Sequence, residues 1–230
     1  MFGLRLGLFN TPWSWIGYIK DSLKLFFPFK RKEISHASSG STSFVTDDYV
    51  SLADSDSLSF GDGSDDTALT ISGWIKTDDV TNFQLINKGV YNTSAEWKIF
   101  FNASNHLKLQ LFDESVLDCY IGRRTGDVSS IEGSWTHICC TYNGDTTNGG
   151  ISIFINGVRS DTTNDSNGAY TAMENLGANV EIGRFGSTYS DGSIANVGIW
   201  SRALSASEVQ GIMYKKYADL SSADQVSLVS

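Results

Sequence analysis

Few residues of this chain have the types and spacing that catalysis requires. Adjacent carboxylates occur at Asp65-Asp66 and Asp113-Glu114, but neighbours in a strand point to opposite faces and neighbours in a loop are solvated. A serine-type triad needs a histidine beside a nucleophile, and the sequence offers three histidines and no nucleophile-elbow motif. We therefore expect a protein that is not an enzyme.

The cysteines also have no spacing that would bind zinc or build a disulfide scaffold. The chain has three of them, Cys119, Cys139 and Cys140, so at least one is free. Cys139 and Cys140 are adjacent in a predicted strand, where their side chains point to opposite faces and cannot easily bond to each other. The sequence therefore predicts small buried side chains at these positions.

Charge is distributed unevenly along the 230 residues. The net charge is −9, yet residues 1–40 hold six Lys/Arg and two Asp/Glu, which gives +4 there and −13 for the rest. An acidic body repels a phosphate backbone, so we expect no nucleic-acid binding by it.

The first forty residues are predicted to form an anchoring arm and linker. Thr11-Pro12 resembles a helix start, and apolar residues then recur at spacings of three and four until Pro28, which indicates an amphipathic helix. The basic triplet Lys30-Arg31-Lys32 follows. This arm has no core of its own, so a partner surface should bury its apolar side chains. The expected anchoring residues are Trp13, Trp15, Ile16, Ile19, Leu23, Phe26, Phe27 and Phe29. Neither a transmembrane helix nor a signal peptide is expected.

In residues 41–230, apolar and polar residues alternate over short runs, as they do in β-strands. Apolar and polar residues alternate at 69–76, 107–111 and 151–155, and turn pairs such as Asn156-Gly157 separate the runs. Ser205 and Glu208 have capping-box spacing before a helical repeat. The sequence therefore predicts an all-β, antiparallel β-sandwich with a short C-terminal helix.

Seven short motifs between residues 47 and 210 resemble, in order, the laminin-G-like family of concanavalin A-like jelly rolls. The motifs are residues 48–52 with 57–60, 69–76, 84–89, 133–137 with 141–144, 154–157, 181–184 and 192–205. The resemblance implies a lectin-like sandwich. The E-x-D-x-x-E strand that related glucanases use for general acid and nucleophile is missing, which supports a protein without enzymatic activity.

The resemblance also implies a calcium ion, because laminin-G-like domains often carry one. Calcium binds several hard oxygen atoms, and the acidic turn at residues 61–66 supplies Asp62 and Asp66, with carbonyl groups of residues 170–175 to complete the set. A solvated acidic turn is the alternative. Glycan binding on such a sandwich would use exposed aromatic rings, for which the sequence offers Tyr91, Trp97, Tyr120 and Tyr189.

Two functions follow, and they are compatible. Modules of this kind resemble ones on phage virion proteins, so the first is a structural or decoration protein on a virion surface, held by its arm to a capsid or other virion protein. It would belong to a larger assembly, of which a homo-oligomer is one form. The second is a carbohydrate-binding module that attaches to cell-surface glycans. A third interpretation places the arm in a membrane interface, given its tryptophans and basic triplet.

Overall fold

The computed structural model describes residues 23–27, 41–45 and 47–214. Within them the chain forms sixteen strands, three 3₁₀ turns and one α-helix. The strands are β1 Leu23–Phe27, β2 Thr42–Phe44, β3 Val50–Leu52, β4 Leu69–Lys76, β5 Gln84–Lys88, β6 Trp97–Phe101, β7 His106–Asp113, β8 Cys119–Asp127, β9 Thr136–Tyr142, β10 Ile151–Ile155, β11 Val158–Arg159, β12 Asp161–Asn164, β13 Val180–Ile182, β14 Arg184–Phe185, β15 Thr188–Tyr189 and β16 Gly192–Trp200. The 3₁₀ turns are Asp56–Leu58, Ser129–Ile131 and Asn148–Gly150, and the helix is α1 Ala206–Ile212.

The strands form two antiparallel sheets that pack face to face. The first sheet has the order β1-β16-β4-β9-β10-β11, with β2 also paired to β16, and the second has the order β12-β8-β7-β6-β5-β13-β3. A small third sheet pairs β14 with β15. This arrangement confirms the predicted all-β antiparallel sandwich.

Alternation of side chains builds the core between the sheets. In β6 the side chains of Trp97, Ile99 and Phe101 are fully buried, and in β7 those of Leu107, Leu109 and Leu111 are too. All belong to one apolar cluster with residues of the first sheet. Because successive residues of a strand face opposite sides, the residues between them must lie on the outer face of the second sheet.

The outer face of the first sheet is covered by α1. Ser205 caps the helix, and Glu208 completes the predicted capping box while its carboxylate also accepts hydrogen bonds from Arg202. Val209 and Ile212 pack against the outward side chains of that sheet and the loop after it; the cluster comprises Cys139, Phe154, Trp200, Leu204, Val209 and Ile212. The predicted C-terminal helix therefore lies on the outer face of the first sheet. Among the described residues no helix is long and apolar enough to span a membrane.

The adjacent cysteines occupy two different clusters. Cys140 lies in the core between the sheets, whereas Cys139 lies under α1 on the outer face. Both are fully buried and free. Cys119 is also free and is nearly fully buried. The prediction that their side chains point to opposite faces is confirmed.

The N-terminal helix prediction is wrong for residues Leu23–Phe27, which form a strand. β1 pairs antiparallel with β16, bringing Leu25 beside Ile199 and Phe27 beside Val197. The physical reason is that β16 would otherwise present unpaired backbone groups at the sheet edge, and a Leu-Lys-Leu-Phe-Phe segment suits a strand as well as a helix. Of the predicted anchoring residues, Leu23, Phe26 and Phe27 thus belong to the sheet. Those outside the described residues are Trp13, Trp15, Ile16, Ile19 and Phe29.

A buried charge network connects the second sheet to the loop before β13. The Lys88 ammonium is fully buried and lies 2.5 Å from Asp54 Oδ1 and 2.8 Å from Glu96 Oε1. It also donates to the carbonyl oxygens of Leu176 and Ala178. Burial of Glu96 raises the pKa of its carboxyl, and the hydrogen bond from Lys88 opposes that rise.

Replacing Lys88 with Met should destabilise the fold by roughly 3–5 kcal/mol, because Glu96 then remains buried without its cation. Urea unfolding followed by fluorescence measures the change. Adding Glu96→Leu to Lys88→Met should recover much of the loss, since the buried charge is then gone. The exposed Lys76 provides a control, and Lys76→Met should change stability by less than about 0.5 kcal/mol. A Lys88→Met protein as stable as the parent would contradict this account.

His137 is buried, and its ring lies 5.4 Å from that of Trp74. Burial lowers its pKa from 6.5 to about 4. The unfolded chain therefore takes up a proton on His137 below pH 6.5 that the folded protein binds only near pH 4. Stability should fall as the pH drops through this range, by on the order of 3 kcal/mol for this group.

This pH effect can be isolated with His137→Phe. The free energy of unfolding, measured in urea at pH 7 and at pH 4.5, should fall more in the parent than in the variant. Other groups titrate in both proteins and cancel in the difference. Parallel pH dependences would show that His137 does not carry the effect.

Candidate functional site

The outer face of the second sheet is the side of the sandwich that α1 leaves uncovered. In the register of β6, β7 and β8, Lys98 lies opposite Gln110, and Gln110 lies opposite Gly122. Phe112 of β7 lies opposite Tyr120 of β8. These residues alternate with the buried core residues, so they lie on the outer face. Three neighbouring strands therefore bring Lys98, Gln110, Phe112 and Tyr120 onto the same surface.

Three aromatic rings form a row on this face. The ring of Tyr91, from the loop between β5 and β6, lies 5.4 Å from that of Phe112, and the ring of Tyr120 lies 5.9 Å from that of Phe112. The row borders a depression of about 220 Å³. Its lining residues are Tyr91, Lys98, Gln110, Phe112, Tyr120 and Phe185. This volume is smaller than that of drug-sized pockets, about 300–1,000 Å³, and suits a single ring-sized group.

Both tyrosines of the row keep their protons near neutral pH. Burial, and then Asp118, raises the pKa of Tyr91 to about 12. Burial, and then the charge of Asp165, raises the pKa of Tyr120 above its ordinary value. Each ring therefore carries a hydroxyl group that can donate or accept a hydrogen bond.

The polar side chains of the depression differ in whether the protein itself supplies a hydrogen-bond or ion-pair partner for them. Asp165 accepts a hydrogen bond from the Gln110 amide at 2.8 Å and pairs with Lys108 at 2.9 Å. The Lys98 ammonium instead lies between two aromatic rings, 3.8 Å from the centre of Phe100 and 3.6 Å from that of Phe185. Burial, and then the charge of Lys108, lowers the pKa of Lys98 to about 7.

The structure brings together two of the four aromatic residues predicted to bind glycans. Tyr91 and Tyr120 line the depression. The prediction for Trp97 is wrong, because this side chain is fully buried in the core and its Nε1 donates to the carbonyl of Leu58. Tyr189 packs 6.2 Å from the ring of Tyr49 and is not among the residues that line the depression.

Sequence reasoning missed Lys98, Gln110, Phe112 and Phe185. A signal for the first three was present in the alternation of β6 and β7, since apolar Trp97 and Ile99 on one face put Lys98 on the other. Phe185 comes from the small β14–β15 sheet, whose position over β6 depends on tertiary packing, so no local pattern could have found it.

A larger depression of about 450 Å³ lies elsewhere, between the end of β4 with the loop after it and the start of β16 with the loop before it. It is acidic, with Asp78, Asp79 and Asp191 among its lining residues. Its polar groups hold the loops in place: Thr77 Oγ1 donates to the carbonyl of Asp191, and the Asp79 carboxylate accepts the N–H of Thr81. These contacts are structural.

The contacts of Asp66 do not fit a calcium ligand. Its Oδ2 accepts the hydroxyl groups of Tyr142 and Tyr170 at 2.6 and 2.7 Å, and its Oδ1 accepts the N–H of Met173 at 2.8 Å. Asp62 accepts the N–H groups of Ser64 and Asp65 within its own turn. Hydrogen-bond donors thus surround the carboxylate that a cation would need, and the described residues contain no group of three His, Cys, Asp or Glu that could hold a metal. Calcium stays a prediction that these contacts do not favour.

The fold and the open aromatic face define a lectin-like β-sandwich. A family model described as the Concanavalin A-like lectin/glucanases superfamily matches residues 44–210, and the chain belongs to this superfamily. This match confirms the fold implied by the resemblance to laminin-G-like domains. A sequence comparison with curated proteins found no match.

Solved structures of toxin binding domains have a similar fold. The binding domain of Paraclostridial Mosquitocidal Protein 1 has a TM-score of 0.57 at 17% identity, with 85% of this chain and 52% of that chain covered. The botulinum neurotoxin serotype D ligand binding domain in complex with N-acetylneuraminic acid has a TM-score of 0.55 at 13% identity, covering 86% and 52%. A structure described as "Cell entry of botulinum neurotoxin type C is dependent upon interaction with two ganglioside molecules" has a TM-score of 0.56 at 16% identity, covering 86% and 52%. The chain spans about half the length of these domains.

The two roles of Asp66 make different predictions for Asp66→Asn. As a structural acceptor, Asp66 holds β9 and the loop around Tyr170 together, so the variant should lose about 1–3 kcal/mol of stability with or without a calcium chelator. As a calcium ligand, it would matter only when calcium is present, because a bound ion stabilises the folded state alone. Thermal unfolding of both proteins in calcium and in chelator distinguishes the roles. We expect equal losses in the two conditions.

Proposed function

We propose that this protein is a non-enzymatic glycan-binding module whose binding site is the outer face of the second sheet. The observation that carries the proposal is the row of Tyr91, Phe112 and Tyr120 beside Lys98 and Gln110 on the uncovered face. A sugar ring has apolar C–H faces and a rim of hydroxyl groups, so a site for it needs aromatic surface together with a few polar groups. The depression offers both.

The asymmetry of the sandwich supports the choice of face. The outer side of the first sheet is filled by α1 and by the cluster around Trp74, Ala195 and Met213. On the second sheet Tyr91 is 36% exposed and Tyr120 is partly exposed, whereas Phe112 is buried beside them. The faces of the two tyrosine rings and the Lys98 ammonium are therefore placed to meet a ligand.

The toxin domains with the same fold offer further support. One of them was solved with N-acetylneuraminic acid, and another comes from a toxin whose cell entry depends on gangliosides. These are properties of those proteins, about half of whose length this chain covers. They make recognition of cell-surface glycans a reasonable function for a module of this fold.

The carboxylates near the site support binding without catalysis. Asp113 accepts the N–H of Thr171 and the hydroxyl of Ser115, and Glu174 accepts the N–H groups of Glu114 and Ser115. They are used to fix loops. A glycosidase needs two carboxyl groups that face a sugar bond from opposite sides.

Display on a virion surface stays a prediction. It depends on an arm that holds a capsid or other virion protein, and most of that arm's apolar residues lie outside the described residues. The part that the structure describes, Leu23–Phe27, pairs with β16. Adhesion to glycans and display on a particle are compatible functions.

A glycan array probed with the full chain tests the proposal. We expect specific binding that Tyr91→Ala and Tyr120→Ala each weaken about tenfold, which corresponds to about 1.4 kcal/mol, because each removes one stacking face. Tyr214→Ala is the matched control: this tyrosine is 63% exposed and follows α1, on the other side of the sandwich. Its variant should bind like the parent. The absence of any specific glycan would overturn the proposal, as would equal losses in all three variants.

A further inference from the structure

We infer that the depression on the second sheet selects an acidic sugar, whose carboxylate pairs with the Lys98 ammonium. The inference rests on the proposed function and names its ligand class. Its basis is the position of the Lys98 ammonium, which has no anionic partner among the described residues of this face.

Lys98 is more buried than lysine residues usually are. The residue is 8% exposed, and its ammonium is held over Phe100 and under Phe185 at the wall of the depression. Its nitrogen is not among the fully enclosed side-chain atoms, so the charged end retains access to the depression. Lysine side chains are almost never this buried unless they are paired.

No anion of the protein pairs with it. Asp165, whose carboxylate contacts Gln110 of the depression, already binds Lys108 as well. Glu181, beside the β14 strand that carries Phe185, is held by Arg184. Among the described residues, neither a salt bridge nor a hydrogen bond involves the Lys98 ammonium; its contacts are the two rings. The carboxylates on either side thus have their own cations, which leaves the Lys98 ammonium without an anionic partner among the described residues.

The two rings compensate only part of what Lys98 loses on leaving water. Cation–π contacts contribute less than an ion pair with good geometry, and an unpaired buried charge is strongly disfavoured. The lowered pKa of Lys98 expresses this imbalance. A carboxylate entering the depression would restore the missing partner, and a charge-assisted hydrogen bond in a partly dry site is among the stronger polar contacts.

The rest of the depression decides what carries the carboxylate. Tyr91, Phe112 and Tyr120 provide a row of rings next to Lys98, so a ligand that places a ring on this row can direct a substituent to the ammonium. A free inorganic anion would leave the aromatic row uncovered. A cationic or amine-bearing sugar would be repelled by Lys98.

The experiment compares sugars that differ only in charge. Glucuronate-terminated and glucose-terminated oligosaccharides form one pair, and sialyllactose and the neutral methyl ester of its carboxyl group form another. The full chain should bind the acidic member of at least one pair tenfold or more tightly. Lys98→Met should remove this preference while it keeps any binding of the neutral member. Lys76→Met, at an exposed lysine of the first sheet, should keep the preference.

The pH dependence provides a second readout. Because Lys98 is protonated below about pH 7, the preference should be larger at pH 6 than at pH 8.5. Around it, Lys108 is paired with Asp165 and Arg184 with Glu181, and the raised pKa values of Tyr91 and Tyr120 keep both hydroxyl groups neutral over this range. Folding is not expected to confuse the result, since Lys98→Met removes a disfavoured buried charge and should melt no lower than the parent.

Each outcome separates the inference from the proposed function. Equal affinity for acidic and neutral members, or a preference that persists in Lys98→Met, overturns the inference and leaves glycan binding intact. Acetate or sulfate at the glycan's own concentration should not compete; full competition by either would show a simple anion site and would also overturn the inference. Absence of binding to every sugar, acidic or neutral, refutes both.

Discussion

The two-residue period of β6, β7 and β8 is the constraint on which both the core and the site depend. Trp97, Ile99 and the leucines of β7 must face the opposing sheet to bury their apolar surface. This leaves Lys98 and Gln110 on the other side. A shift of one residue in register would put the lysine into the core and the tryptophan into water, so the stability of the sandwich itself holds the cation on the outer face.

The two outer faces of the sandwich carry different residues and are covered to different extents. The first sheet carries a second apolar layer under α1, and β1 and β2 cover the edge that β16 would otherwise present. The second sheet carries polar and aromatic residues, with only the small β14–β15 sheet contributing Phe185 to its outer side. One outer face therefore carries a second apolar layer, and the other carries the partly exposed tyrosines of the proposed site.

Much of the fold could be predicted from the sequence, because its signals are local. Alternation at 69–76 and 107–111 predicted strands, Asn156-Gly157 predicted a turn that both residues enter with positive φ, and Ser205 with Glu208 predicted the start of α1. The strand Leu23–Phe27 was beyond such reasoning, since its Leu-Lys-Leu-Phe-Phe sequence suits either structure and the free edge of β16 decides between them.

The site was less predictable, because aromatic residues look alike in a sequence. Tyr91 and Tyr120 were found by type alone, and Trp97 was included for the same reason although alternation sends it inward. Lys98 gave no signal as a functional residue, since a lysine in a strand is usually a solvated side chain. Its significance comes from Phe185 and Asp165, which are distant in the sequence and approach it only in the folded protein.

The neighbouring thiols Cys139 and Cys140 give this protein a built-in pair of local probes. One lies under the helix and the other between the sheets, so a thiol reagent that modifies the first but not the second reports release of α1 while the sandwich stays closed. Modification of both at one rate would instead report global opening. Modification of these two natural cysteines can therefore distinguish partial from complete unfolding, and no cysteine has to be introduced.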